Sequence, residues 1–207
     1  MDNFQSQIDQ FSNYILHERR LSKHTLTSYS TDLRQFQNFL EETLRINQFT
    51  DATYNEIRMW IVHLKENEIS NRSINRKIST LKSLYKYFLI HQKIEINPML
   101  KIIAPKQSKK LPVYFDQKLL NVLFTSEVFT NDFKGIRDIL IMELLSGTGI
   151  RLTELIHIKE SDIGKQEIKV LGKGNKERIV PITTNIASFI TLYIKKRNEE
   201  FSSEKNQ

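Results

Sequence analysis

The sequence predicts a mainly α-helical protein with two parts, an N-terminal four-helix bundle and a C-terminal α+β part containing one β-hairpin. Three observations support this prediction. Apolar residues recur every three or four positions through the first 90 residues. A proline- and lysine-containing segment follows, and after residue 166 two short strand-like stretches flank a glycine turn. We therefore expect a helical domain at 1–96, a basic linker at 97–115 and a second domain at 116–207.

The first part contains four amphipathic stretches, which run from Phe4 to Ile15, Leu26 to Leu40, Ile57 to Leu64 and Ile74 to Phe88. Their apolar residues fall on one face of a helix with 3.6 residues per turn. Residues that cap helix N-termini precede three of them, namely Ser22, Thr50 or Asp51, and Ser70 or Asn71. Short polar turns between four such helices predict a compact bundle.

The linker begins at Asn97-Pro98, because the residue before a proline avoids the helical conformation. Pro105 and Pro112 bracket Lys106, Lys109 and Lys110. Either a solvated hinge or a contact with phosphates explains such a segment.

The second part is predicted to alternate helices with a hairpin. Asp116 precedes a helix that carries Leu119, Leu120 and Leu123. A second helix runs from Ile136 to Leu145 and ends at Gly147, and a short one covers 152–156. Strands are predicted at 167–171 and 178–182 around the turn 172–175. Thr183 or Thr184 opens a last helix, with Tyr193 on its apolar stripe.

Composition excludes several classes of protein. The 207 residues contain no cysteine, which excludes disulfide frameworks, thiolate nucleophiles and zinc sites that need sulfur. No apolar run reaches the roughly 18 residues of a membrane span, and the N-terminus has no signal-peptide pattern. We therefore expect a cytoplasmic protein without membrane contact. The net charge of +7 favours a polyanionic partner.

The positive charge is concentrated on the fourth predicted helix. Between Glu68 and Glu95 the chain carries no acidic residue and six basic ones, namely Arg72, Arg76, Lys77, Lys82, Lys86 and Lys93. A helix surface of one sign favours a phosphate backbone as its partner.

Two motifs contain candidate catalytic residues. Arg151 follows a glycine turn, and Glu154 lies one helical turn later, so the carboxylate can hold a guanidinium that clamps a phosphate. From this motif alone, an ordinary surface ion pair worth about 0.3 kcal/mol is the preferred interpretation. Lys173 lies between glycines at the hairpin tip, where it can reach a leaving oxygen or simply be solvated. The ending of a Walker loop is absent.

Together the motifs Gly-Ile-Arg-Leu-Thr-Glu-Leu (149–155) and Gly-Lys-Gly-Asn-Lys-Glu-Arg-Ile-Val-Pro (172–181) resemble the first active-site box and the β-hairpin of the tyrosine recombinase (phage integrase) family, XerC/XerD type. The stretches 21–29 and 78–88, followed by Asn97-Pro98, resemble that family's SAM-like core-binding domain. The resemblance covers nearly the whole chain in the same order.

The resemblance implies a clamp around double-stranded DNA, in which a tyrosine attacks a phosphodiester and forms a phosphotyrosyl link, with no metal or other cofactor. Arg151 would contact the scissile phosphate, Lys173 would protonate the leaving 5′-oxygen, and Glu154 would support the arginine. Other recombinase protomers would complete a tetrameric synaptic complex. Candidate DNA contacts are Lys23, His24, Thr25, Arg72, Asn75, Arg76, Lys77, Lys82, Lys176 and Arg178.

The family pattern continues with His-x-x-Arg and a nucleophilic tyrosine, and neither follows Lys173 here. Tyr193, the only later tyrosine, is predicted to be a core residue. We expect the chain to end within the catalytic domain and to bind DNA without cleaving it alone. Three interpretations remain open: a piece of an active recombinase, a natural short form that binds DNA or regulates a recombinase, and a helical interaction protein with an incidental basic face. Chromosome dimer resolution and integration of a mobile element also remain open as biological roles.

Overall fold

The computed structural model describes residues 3–107, 116, 122, 129–172 and 174–204. The chain divides into two compact units, Met1–Leu111 and Pro112–Gln207. The described residues are mainly helical and contain one two-stranded antiparallel sheet, in the second unit. This architecture confirms the predicted fold class.

The first unit contains α1 (Phe4–Asn13), α2 (Lys23–Leu44), α3 (Tyr54–Glu66) and α4 (Asn71–Ile90). A π-helical turn (Tyr14–Glu18) continues α1, and a 3₁₀ turn (Phe49–Asp51) precedes α3. Two predicted caps are confirmed, because the Ser22 hydroxyl accepts the N–H of Thr25 and the Ser70 hydroxyl accepts that of Ser73.

The predicted cap of α3 is wrong. The cap is Thr53, whose hydroxyl accepts the Asn55 N–H at 3.2 Å, while Glu56 accepts the Thr53 N–H at 2.7 Å. This reciprocal arrangement is a capping box. The helix starts later than expected because Phe49 is fully buried, so residues 49–51 form a 3₁₀ turn on the core before the helix begins.

Aromatic side chains form the centre of the first core. The ring of Phe36 lies 4.7 Å from that of Trp60, and the buried Tyr85 hydroxyl donates to the Phe49 carbonyl at 2.8 Å. Met99 and Ile102, which lie in the predicted linker, are also buried in this core. The part of that linker containing Lys109, Lys110 and Pro112 lies outside the described residues.

The second unit contains α5 (Phe133–Thr148), α6 (Leu152–Leu155), β1 (Glu167–Leu171), β2 (Glu177–Pro181) and α7 (Thr184–Glu204). The helix predicted to end at Gly147 continues to Thr148, and Gly149 is the left-handed cap residue, with φ of 63°. Thr183 is the residue that caps α7, because its hydroxyl accepts the Ile186 N–H at 3.3 Å. Leu119, Leu120 and Leu123 of the helix predicted after Asp116 lie outside the described residues.

The hairpin presents one apolar face to the second core. Ile168 pairs with Val180, and all three of Ile168, Val170 and Val180 are buried. Arg178 is the cross-strand partner of Val170. Because cross-strand partners project from the same face of a sheet, Arg178 lies at the end of the face that packs on the helices.

Candidate functional site

The carboxylate of Glu154 lies at the centre of the candidate site in the second unit. It is buried, with 3% of the residue exposed. Its Oε1 accepts from Arg151 Nη1 at 2.8 Å, and its Oε2 accepts from the Arg151 backbone N–H at 2.8 Å. Arg151 and Glu154 therefore form the predicted ion pair, but its carboxylate is buried and the pair is not an ordinary surface pair.

Arg178 joins the same carboxylate from the hairpin. Its Nη1 donates to Glu154 Oε1 at 2.7 Å and its Nη2 donates to Oε2 at 2.8 Å. Two parallel bonds of this kind form the bidentate geometry in which guanidinium and carboxylate fit best. Glu154 thus accepts four hydrogen bonds, two from each arginine, and we name Arg151, Glu154 and Arg178 the arginine cluster.

The local backbone explains how Arg151 reaches this carboxylate. After the left-handed Gly149, Arg151 adopts an extended conformation as the residue that precedes α6. Glu154 is the third residue of α6, so its side chain can turn back to the Arg151 N–H, as a carboxylate in a capping box does. The Arg151 side chain stays 69% exposed, which leaves most of its guanidinium at the surface.

The arginines change the acidity of Glu154. Hydrogen bonds from the Arg178 side chain, then from the Arg151 backbone and side chain, outweigh burial and lower the pKa of Glu154 to about 2. Glu154 is therefore ionised at every pH at which the protein is expected to work.

This low pKa predicts an acid-dependent contribution to stability. Because the folded pKa lies below the value of about 4.3 for an unfolded glutamate, the contribution is complete above pH 4.3 and is lost as the pH falls towards 2. E154Q should melt at a lower temperature than the wild type at pH 7, and the difference should shrink towards pH 2. The melting of β1 and β2 can be followed by NMR. E177Q, which removes a surface ion pair with Lys169, is the matched control. If the difference in melting temperature between E154Q and the wild type were the same at all pH values, this account would be wrong.

The hairpin loop runs beside the arginine cluster. Gly172 donates its N–H to the Lys176 carbonyl at 2.7 Å, and Gly174 and Asn175 turn the chain with positive φ. A Cβ on Gly172 would lie 3.4 Å from both Glu154 Oε1 and Arg178 Nη1. Lys173 itself lies outside the described residues, and Gly172, the residue before it, lies beside the cluster. Lys176 is exposed in the same loop.

The candidate DNA contacts of the first unit differ in accessibility. Five are exposed, namely Lys23, His24, Arg72, Arg76 and Lys82. Thr25 and Asn75 are half-buried, and Lys77 is buried. Asn75 donates to the Pro105 carbonyl at 3.0 Å, while Asn71 donates to that of Lys106 at 2.7 Å. Asn75 and Asn71 therefore bind the backbone of residues 105 and 106 to the first turns of α4.

Lys77 has an internal role, which argues against the DNA contact expected for it. Its ammonium group donates to Asp32 Oδ1 at 3.0 Å and also to Gln35. Asp32 is fully buried and further accepts from the Thr80 hydroxyl at 2.9 Å and from Arg76. Sequence reasoning did not identify Asp32 as a buried carboxylate, although its position between Tyr29 and Phe36 on the apolar stripe of α2 could have indicated one.

The part of the chain that the structure describes contains no cluster of three or more metal-ligating side chains. None of its helices is long and apolar enough to cross a bilayer. Tyr193 packs half-buried against the second core, with its ring stacked 5.6 Å from that of Phe133, which agrees with its predicted place on the apolar stripe.

Solved structures share this fold. A lambda integrase tetramer bound to a Holliday junction matches with a TM-score of 0.68 at 19% identity, over 94% of this chain and 56% of that one. The Tn1549 transposon integrase in complex with circular intermediate DNA matches with a TM-score of 0.63 at 17% identity, over 91% of this chain and 64% of that one. At these identities the likeness shows the fold.

Relatives identified by sequence have higher sequence identity to this chain than these solved structures. Tyrosine recombinase XerC of Staphylococcus saprophyticus is 42% identical over 168 residues, which cover 79% of this chain and 55% of the relative. XerC of Staphylococcus aureus is 40% identical over 189 residues, which cover 90% and 62%. The chain thus spans less than two thirds of the length of either relative. Residues 8–93 match the model of the phage integrase N-terminal SAM-like domain, and residues 117–206 match that of the phage integrase family. The chain therefore belongs to the phage integrase, or tyrosine recombinase, family, as its motifs predict.

Proposed function

We propose that this chain binds double-stranded DNA and carries part of the catalytic centre of a site-specific recombinase. The observation that carries this proposal is the arginine cluster, in which one buried carboxylate holds Arg151 beside the hairpin loop that contains Lys173. Membership of a family whose named relatives are tyrosine recombinases supports the same function.

The proposed reaction is a transesterification, in which a phosphodiester of DNA is converted into a phosphotyrosyl ester. The tyrosine hydroxyl gives its proton to a base and its oxygen forms a bond to phosphorus. The bond from phosphorus to the 5′-oxygen breaks, and that oxygen takes a proton from Lys173. Religation to another strand reverses these steps. Arg151 stabilises the negative charge on the phosphoryl oxygens, and by analogy with single oxyanion donors it contributes about 3 to 4 kcal/mol to the transition state.

We assign the parts of the chain accordingly. Residues 1–96 bind DNA, 97–115 link the domains, and 116–207 form the N-terminal part of the catalytic domain. Of the candidate DNA contacts, we propose those whose side chains are exposed and therefore accessible to DNA, namely Lys23, His24, Arg72, Arg76, Lys82 and Lys176. The proposed partners are duplex DNA and further recombinase protomers, in an assembly like the tetramer of lambda integrase.

The nucleophile and the His-x-x-Arg motif are proposed to come from residues beyond those of this chain. Its residues 174–207 contain no histidine and only Tyr193, which packs against the core. The same residues are compatible with a second candidate function, in which the chain binds DNA or regulates a recombinase without catalysing strand cleavage. Both functions predict that the 207 residues alone do not cleave.

A suicide-substrate assay tests this proposal. A nicked duplex traps the covalent protein–DNA adduct, and we expect none from the 207-residue chain. A version extended through the downstream reading frame should form the adduct and lose it in R151Q. No adduct from an extended chain that encodes the missing motifs would favour the non-catalytic function. An adduct from the short chain that disappears in Y193F would overturn the assignment of Tyr193.

A further inference from the structure

We infer that Arg178 is a positioning residue: through Glu154 it fixes the hairpin loop of Lys173 relative to Arg151, and it does not contact DNA. The catalytic consequence of this inference rests on the proposed function. The mechanical part, the attachment of the loop to α6, stands on the geometry alone.

The contacts of the two arginines with Glu154 differ in kind. Arg178 uses both terminal nitrogens of its guanidinium on the carboxylate, whereas the Arg151 guanidinium uses one. The Arg178 side chain is 41% exposed, against 69% for Arg151. Arg178 is therefore committed to the buried carboxylate, while Arg151 keeps most of its guanidinium available for a phosphate.

The hairpin register links Arg178 to the loop. Leu171 pairs with Glu177, so Arg178 is the second residue of β2 after the turn. Gly172 closes the turn by its bond to Lys176, and a side chain at this position would point towards Arg178 and Glu154. Gly174, Asn175 and Lys176 are exposed, so these three residues pack little against the rest of the unit. The bidentate pair is thus a direct side-chain attachment between this end of the hairpin and the helix that presents Arg151.

Hydrogen exchange of the full chain tests the attachment. In R178Q the Gly172 amide should exchange at least tenfold faster than in the wild type, while the ladder of β1 and β2 stays protected. E154Q should accelerate this exchange at least as much. The double variant should add little to E154Q, because both changes weaken the pair of Arg178 and Glu154 and E154Q weakens the bonds from Arg151 as well. R178K keeps the charge but loses the bidentate geometry, so its Gly172 amide should exchange at a rate between those of R178Q and the wild type. R197Q, which removes an arginine paired with Glu160, should leave the loop unchanged.

The salt dependence of DNA binding tests the second half of the inference. R178Q should keep the wild-type slope of log affinity against log salt, whereas K176Q should reduce it by about 0.9. A reduction of that size in R178Q would overturn the inference. The inference would also be overturned if the Gly172 amide exchanged at the wild-type rate in R178Q. Faster exchange throughout the second unit in both R178Q and R178K would overturn it too, because the pair would then stabilise the whole unit and not the loop. If the chain does not bind DNA, the proposed function fails, and the exchange measurement still decides the role of Arg178.

Discussion

Raising the salt concentration from 50 to 200 mM should weaken binding of this chain to duplex DNA about a thousandfold. Each phosphate that a lysine or arginine neutralises releases counterions, and six such contacts give a slope of about −5.4 in log affinity against log salt. Six exposed basic side chains can supply them, namely Lys23, Arg72, Arg76, Lys82, Arg151 and Lys176. Arg76 and Arg151 each give one guanidinium nitrogen to a buried carboxylate, whereas Arg178 gives two, and their side chains stay 45% and 69% exposed. Fluorescence anisotropy of a labelled duplex measures this dependence.

Single substitutions identify which charges take part. R72Q and K82Q should each make the slope less steep by about 0.9, because each removes one phosphate contact. R58Q removes an exposed arginine of α3, outside the proposed interface, and serves as the matched control. An affinity that hardly changes with salt would refute the electrostatic interface, and an equal effect of R58Q would show that only net charge matters.

Replacing Asp32 by asparagine should destabilise the first unit by about 3 to 5 kcal/mol. Asp32 is fully buried, and the Lys77 side chain beside it is only 5% exposed. The substitution keeps the size of the side chain but removes its charge, so the ammonium group of Lys77 stays buried without a counter-charge. Lost partners for Arg76 and Thr80 add to this cost.

Urea unfolding followed by fluorescence measures this effect in the intended unit, because Trp60 is the only tryptophan and lies in the first core. D9N, at an exposed position of α1, should change stability by less than about 0.5 kcal/mol. Adding K77M to D32N should recover part of the loss, since the unpaired buried charge is then absent. A loss below about 1 kcal/mol in D32N would show that Lys77 reaches solvent by a small rearrangement.

The secondary structure of this chain follows from local pattern. The spacing of apolar residues placed four helices in the first unit, and alternation around Gly172 and Gly174 placed the hairpin. Ser22 and Ser70 were predictable as caps because a cap bonds within three residues of itself. Thr53 was not, because burial of Phe49 in the core decides where α3 begins.

Partners of charged side chains depend on contacts that are remote in sequence. Lys77 and Arg178 both looked like surface cations on their own elements, yet each binds a buried carboxylate on another element. Asp32 and Glu154 lie 45 and 24 residues away from these partners. Periodicity specifies which face of a helix or strand a side chain occupies, but which carboxylate it meets is set by how the elements pack. The sequence therefore determined the fold and the family, whereas only the tertiary structure showed which cations pair with buried carboxylates and how much of each stays exposed.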